Sequence, residues 1–314
     1  MKFSVIIPLY NKAPYIKKAL ESVVSQSFKD YEVVVVDDGS SDDSLFIAQN
    51  TLKESGLDYH IIHQDNAGVS TARNNGVTAS HGDYLCFLDA DDWWAPTFLE
   101  RMDWLIDEYP EARIYGTNYY YVKNGRQRIC VTTAKTGYIN YCKVYAERLQ
   151  MPLWTGSTCM PRSIFAEMGG FNPKLKLGED FCLWIKIALK YKVAFLDEAL
   201  SYYYQDSDAK WRLVGKLHNP EAHMLWNLKD LEEKEKKDSD YKQLIDNLRV
   251  YGLFPYFLSD EFHNAATKEL KKVDWTKQPK KYLHLYDTNI VVLRLRETLI
   301  NYGSRIKQWI MARI

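Results

Sequence analysis

The segment YEVVVVDDGS, residues 31–40, constrains the fold more than any other part of this 314-residue chain. Four consecutive valines leave no polar face, so the strand they form must be covered on both sides, as in a parallel sheet flanked by helices. The run stops at Asp37-Asp38-Gly39-Ser40, residue types that favour a turn, and a helix is expected to follow with Asp42 or Asp43 as its N-cap. Neighbouring segments repeat this rhythm. FSVIIPLY (3–10) reads as a strand and Pro14 to Val24 as a helix. YHIIHQD (59–65) reads as a third strand, GVSTARNNGVTAS (68–80) as a helix, and DYLCFLDADD (83–92) as a fourth strand. Such alternation predicts an α/β fold with a mostly parallel central sheet.

Ligands of such sheets bind beyond the carboxyl ends of the strands. Those ends carry Pro8-Leu9-Tyr10, Asp37-Asp38-Gly39-Ser40, Asp65-Asn66 and Asp89-Ala90-Asp91-Asp92, so three of the four are acidic. In an extended strand Asp89 and Asp91 share a face, and carboxylates gathered there repel one another unless a cation sits among them. A hard divalent ion shared with substrate phosphates is one solution; a helix N-cap with spare acidic neighbours is the plain alternative. Asp37-Asp38 either accepts hydrogen bonds from a base or ribose or simply turns the chain. Gly-x-Gly-x-x-Gly is absent, which counts against a dinucleotide site. Arg73 can reach phosphates, hold the acidic cluster, or form an ordinary ion pair. Glu179-Asp180 opens an amphipathic helix, as a cap or as a proton acceptor for a hydroxyl substrate. Trp184, one turn later, and Trp154 are candidate sugar-stacking rings, although tryptophans are more often core.

Composition removes several classes. Hydrophobic residues make up 46% and charged residues 26%, so the chain is not globally disordered. The 41 basic and 41 acidic side chains cancel, which argues against nucleic acid as a partner. Five cysteines stand apart with no C-x-x-C pair, fitting a reducing compartment. The seven histidines show no metal-binding spacing and read as structural. The opening apolar run is too short for a signal peptide and no stretch is long enough to span a bilayer, so a cytoplasmic protein is expected.

After Pro96 a helix is expected to about Glu108, then aromatic strands at ARIYGTNYYYVK (112–123) and RQRICVTTA (126–134). Two helices follow, at PRSIFAEMGGFNP (161–173) and EDFCLWIKIALKY (179–191), before the last strands at KVAFLDEALSYYYQ (192–205). A boundary is placed near residues 206–215, giving a domain at 1–210 and a helical region at 211–314. The final segment, 290–314, sets Leu295, Leu299, Tyr302, Ile306, Trp309 and Ile310 at helical spacing among Arg294, Arg296, Arg305, Lys307 and Arg313. Such a helix suits an anionic membrane surface, and equally a groove on its own domain or on a partner.

Together SVIIPLYNKAPYIKKALESVVSQSF, EVVVVDDGSSDDS, NAGVSTARNNGVTASHGDYLCFLDADDWW and GGFNPKLKLGEDFCLWIKIA resemble family 2 glycosyltransferases, inverting enzymes with a Rossmann-like GT-A fold, of the bacterial surface-polysaccharide type. The likeness covers residues 2–205. It implies that Pro8, Tyr10 and Asp38 frame the base and ribose with Asp37 in support, and that Arg73 lies near the base or diphosphate. It also implies that Asp89 and Asp91 form the D-x-D motif, with Asp91 the direct metal ligand and Asp92 nearby, and that Asp180 is the base with Glu179 beside it. The implied cofactor is Mg²⁺ or Mn²⁺. The implied donor is a UDP- or dTDP-sugar carrying a hexose or N-acetylhexosamine, and the acceptor a saccharide or lipid-linked saccharide, met by a protein peripheral to the inner face of the membrane. Two rivals are a metal-dependent nucleotidyl or phosphoryl transferase, and a nucleotide-sugar-binding scaffold without activity.

Overall fold

The structure, a computed structural model, describes residues 1–206 and 216–295. The chain divides into two compact units, Met1–Leu228 and Lys229–Ile314.

In the first unit β1 (Phe3–Leu9), α1 (Ile16–Val24), β2 (Tyr31–Asp37), α2 (Ser44–Lys53), β3 (Asp58–His63), α3 (Val69–Ala79) and β4 (Tyr84–Phe87) follow the expected order. The strands line up as β3-β2-β1-β4, all parallel. Every residue of β1 and β2 is buried, as the valine run requires, whereas β3 alternates because it lies at the sheet edge. The fourth strand is shorter than its sequence suggested. It ends at Phe87, and Asp89 to Asp92 form a turn in which the Asp92 amide donates to the Asp89 carbonyl at 3.0 Å. The two aspartates therefore do not share a strand face. Trp93–Trp94 then form a short strand, β5, and α4 (Phe98–Glu108) begins well beyond the acidic turn, so the aspartates do not cap it.

The remainder of the unit holds β6 (Ala112–Lys123), β7 (Arg126–Ile129), β8 (Gly137–Ile139), α5 (Tyr141–Arg148), β9 (Thr158–Pro161), α6 (Arg162–Glu167), α7 (Glu179–Ala188) and β10 (Lys192–Tyr204). Strand β9 runs antiparallel between β4 and β6, joining the parallel half to an aromatic half in which β6 and β10 pair in parallel. This is the mixed α/β architecture expected, with the mostly parallel portion carrying the acidic edges.

The expected boundary at 206–215 falls largely on residues 207–215, outside the described residues. Residues 216–228 belong to the first unit because they brace the loop before α7. The Lys176 amide donates to the Ala222 carbonyl at 2.8 Å, and the Met224 amide donates to the Leu177 carbonyl at 3.1 Å. Gly178 precedes α7 at φ +78°, where a side chain would meet Met224 Sδ at 2.5 Å.

The second unit contains α8 (Glu232–Lys237), α9 (Ser239–Gly252), α10 (Phe254–Leu258), α11 (His263–Leu270) and α12 (Lys280–Asp287). Its core includes Tyr241, Leu244, Ile245 and Phe257, together with a buried guanidinium. Arg249 meets Glu235 at 2.5 Å, Asp246 at 3.4 Å and Glu269 at 3.5 Å, enough anionic charge to offset its desolvation. Arg294, one of the basic residues among the apolar positions of the final segment, donates from Nε to the Leu258 carbonyl at 2.8 Å and pairs with Asp260. Residues 296–314 lie outside the described residues.

His223 makes the brace beneath α7 sensitive to acid. Its ring is buried and its Nδ1 accepts from the Leu225 amide at 3.2 Å. Burial, with His218 adding repulsion, lowers its pKa from 6.5 to about 4. A base whose folded pKa is depressed contributes its stability above the unfolded value and loses it as pH falls through the folded one. Between pH 6.5 and about 4 the protein is expected to lose roughly 3 kcal/mol of stability through this group. Chemical denaturation across that range checks it. His223→Asn should flatten the slope, and an unchanged slope would place the acid sensitivity elsewhere.

Candidate functional site

The carboxyl ends of β1 to β4 bring the predicted residues to one edge of the sheet. Asp37 ends β2 fully buried, its Oδ2 2.7 Å from His63 Nδ1 and its Oδ1 accepting from the Ser40 amide at 3.3 Å. Asp38, also buried, accepts from Gln64 Nε2 at 2.8 Å and from the amides of Ala67 and Gly68 at 2.8 and 2.9 Å. It thereby fixes the β3–α3 loop. Gly39, at φ +76°, makes the turn possible where a Cβ would sit 3.1 Å from the Asn66 amide.

One placement differs from expectation at β1. Pro8 lies inside the strand, opposite Val36 and buried, so its ring supports the edge and does not line it. Tyr10, just past the strand, is partly exposed.

Arg73 is the centre of the site. It projects from α3, only 3% exposed, and its two terminal nitrogens donate to Asp89 Oδ1 at 2.7 Å and Glu179 Oε1 at 2.8 Å. The residue thus holds the acidic cluster together, one of the roles its position allowed. Burial alone would lower its pKa, but Asp89 and Glu179 raise it above its ordinary value. Burial and the neighbouring Asp180 push Glu179 up, with Arg73 opposing.

Asp180 points elsewhere. Its Oδ2 accepts from Thr155 Oγ1 at 2.9 Å, which fixes the carboxylate from a loop 25 residues upstream. Lys12, from the β1–α1 loop, pairs with Asp91. Asp92 accepts from the Tyr204 amide at 2.7 Å through Oδ1, while its buried Oδ2 has no hydrogen-bond partner. Burial first, then Asp91 and Asp89, raise its pKa well above the carboxylate range. Lys12 and Thr155 were not singled out by sequence. Lys12 follows the first strand in plain view, but nothing local to Thr155 signals its partner.

The site holds five carboxyl groups, Asp89, Asp91, Asp92, Glu179 and Asp180, against the cations Lys12 and Arg73. The surplus of hard oxygen donors, with Asp92 Oδ2 unpartnered, fits a divalent cation of the Mg²⁺ or Mn²⁺ kind. Those oxygens are not gathered in advance: among the described residues, the group of potential ligands drawn within 4.8 Å of one another is Glu32, His60 and His81, away from this edge.

The two candidate sugar platforms are core residues. Trp184 has no exposed surface and packs edge-on against Phe171, so it is closed to an acceptor. Trp154 is 6% exposed and stacks on Tyr203 at 4.6 Å. The same helix that presents Asp180 turns Trp184 inward, because residues four apart share a face and this face continues into the core.

Residues 4–162, half of the chain, match the sequence model of glycosyl transferase family 2, and the chain belongs to that family. It is 30% identical over 200 residues to a glycosyltransferase of Rickettsia felis, covering 64% of this chain and 32% of that protein. It is 41% identical over 121 residues to glycosyltransferase GlyA of Streptococcus pneumoniae, covering 38% and 17%. The matches thus span a third or less of those two relatives. The fold is shared with S. aureus TarS residues 1–349, solved with UDP-GlcNAc, at TM-score 0.72 and 22% identity over 90% of this chain and 83% of that one. A mannosyltransferase of Pyrobaculum calidifontis, solved with GDP-Man and Mn²⁺, aligns at TM-score 0.51 and 15% identity over 88% of each chain. The likeness to TarS covers 90% of this chain and so extends the fold match beyond the family segment.

Removing Arg73 should expose how much depends on it. Arg73→Ala leaves Glu179 and the partly exposed Asp89 without their shared buried cation and is expected to cost about 3–5 kcal/mol. Arg73→Lys keeps the charge but not the planar fork and should recover only part. Urea denaturation of both variants checks this, and a wild-type midpoint for Arg73→Ala would show that the bridge is not structural.

Proposed function

We propose that the protein transfers a hexose or N-acetylhexosamine from a nucleoside-diphosphate donor, a uridine or thymidine one, to a hydroxyl of a saccharide or lipid-linked saccharide, with inversion at the anomeric carbon. The observation that carries this reading is the Arg73 bridge, which joins the acidic turn after β4 to the start of α7. It sets a cation-binding edge and a fixed carboxylate, Asp180, at one site. Family membership and a relative in fold solved with UDP-GlcNAc support the donor class.

In this reading Tyr10 and the rim fixed by Asp38 receive the base and ribose. Asp91, with Asp89 and Asp92 adjacent, would hold Mg²⁺ or Mn²⁺, which would supply positive charge for the departing diphosphate. Lys12, paired with Asp91 in the structure, would be free to turn toward the phosphates where that carboxylate held the ion. Asp180, oriented by Thr155, accepts the proton of the acceptor hydroxyl. The acceptor oxygen forms its bond to the anomeric carbon as the bond to the diphosphate oxygen breaks, and the electron pair leaves with the diphosphate. One displacement inverts the configuration.

A panel of nucleotide sugars with Mg²⁺ or Mn²⁺ and candidate acceptors, scored for diphosphate release, tests this. Asp180→Asn should lower turnover by about 10²–10⁴-fold while donor binding survives, and Asp91→Ala or chelation should abolish metal-linked donor binding. Full turnover by Asp180→Asn would remove the base from the reading. Donor cleavage that leaves the sugar on phosphate would favour the nucleotidyl or phosphoryl transferase, and donor binding without turnover on any acceptor the scaffold.

The same reading places the protein at the inner face of a membrane through residues 290–314. Val291, Val292 and Leu295 are exposed while Leu293 is buried, so residues 290–295 present an apolar edge outward. No helix among the described residues is long and apolar enough to cross a membrane. Removing residues 296–314, which spares Leu293 and Arg294, should release the protein from anionic vesicles; unchanged sedimentation would refute the membrane contact.

A further inference from the structure

At the edge of the sheet opposite the site just described, three residues from separate elements converge. Glu32, near the start of β2, is fully buried. Its Oε1 is committed, accepting from Ser4 Oγ at 2.7 Å and from the amides of Gly82 at 3.0 Å and His81. Ser4 Oγ is in turn held by Arg162 Nη2 at 3.2 Å, and Arg162 Nε donates to the Gly82 carbonyl at 2.8 Å. The carboxylate is therefore locked in orientation, with Oε2 turned outward. Facing that oxygen are His81 Nδ1 at 3.5 Å and His60 Nε2 at 4.0 Å.

We infer that Glu32, His60 and His81 form a binding site for a transition-metal ion of the Zn²⁺ class, separate from the donor site. The three donor atoms already lie within 4.8 Å of one another. A Zn²⁺ ion held at about 2.0–2.2 Å from each requires tetrahedral donors about 3.4 Å apart. The adjustment falls on the two imidazoles, which are 46% and 74% exposed and can turn about their side-chain torsions while Glu32 stays fixed. Hydrogen bonds behind a ligating carboxylate are the usual outer support of a metal site, and Ser4, Gly82 and Arg162 supply them here. Exposure of the rings leaves room for water in the fourth position.

Two imidazoles with one carboxylate suit Zn²⁺, Co²⁺, Ni²⁺ or Cu²⁺, whereas Mg²⁺ prefers oxygen alone. The site is thus chemically distinct from the all-carboxylate edge, and magnesium in excess should not compete for it. Bound metal would tie the α3–β4 turn to β2 and β3, clamping the far end of the helix that carries Arg73. An ion that binds only the folded chain stabilises it by mass action.

The test uses full-length protein treated with EDTA, desalted, and titrated with ZnCl₂ in excess Mg²⁺ by calorimetry, with thermal melting in parallel. One saturable equivalent and a rise in Tm that grows with Zn²⁺ are expected. His60→Ala and His81→Ala should each weaken binding by about tenfold or more, while His284→Ala, on an exposed position of the second unit, should leave it unchanged. Co²⁺ should give the visible absorption of a four-coordinate site in the wild type and lose it in the histidine variants. Because Glu32→Gln removes a buried anion and can unfold the chain, the histidine variants carry the decision. Absence of saturable binding in the wild type, or binding that survives the double histidine variant, would overturn the site. Neither result bears on sugar transfer, which is read from donor turnover.

Discussion

The Arg73 guanidinium is the constraint on which the site's geometry depends. A buried cation is tolerable only where anions compensate it, and here the compensation comes from two places far apart in sequence, Asp89 after β4 and Glu179 at the start of α7. The bridge therefore does two things with one group. It keeps the acidic turn from repelling itself apart, and it fixes the start of the helix whose next residue is Asp180. Thr155 then sets the direction of that carboxylate. Of the two neighbouring carboxylates, Glu179 is engaged by Arg73 and Asp180 by Thr155.

The remaining charge in the site is unbalanced by design of the fold, since the turn places Asp91 and Asp92 close to Asp89 with Lys12 as the further cation in contact. Lys12 stands where a divalent ion would compete for Asp91. Its loop is held by Asn11, which adopts φ 49° and accepts from the Ser41 amide at 2.8 Å, and by the Ser44 hydroxyl, which accepts from the Lys12 amide at 2.7 Å. The first two strand-end loops thus form one bonded rim.

The aromatic residues are mostly architectural. Trp93, Tyr202 and Tyr120 stack in sequence across β5, β10 and β6, with Lys18 over the indole, and Trp154 packs with Tyr119 and Tyr203. Cross-strand ring pairs of this kind stabilise sheets. The rings next to Asp180 include Tyr145, whose phenol burial pushes up so that it stays protonated.

The sequence by itself determined the parallel half of the sheet and the edge where chemistry collects. Valine runs have one way to be buried, and the turn residues that end them are local signals. It determined the identity of the acidic groups, because residue type is a local property. It also carried the motifs of the family. The tertiary structure decided which carboxylates are free: nothing within reach of Asp38, Glu179 or Asp180 in the chain says that the first is spent on a loop, the second on Arg73 and the third held by Thr155. It decided that Trp184 and Trp154 face the core, since periodicity gives a face but not what covers it. It also brought Glu32, His60 and His81 together from spacings that carry no metal signature. Those pairings arise between segments tens of residues apart, and only packing of β1, β4, α3 and α7 against one another brings them within reach.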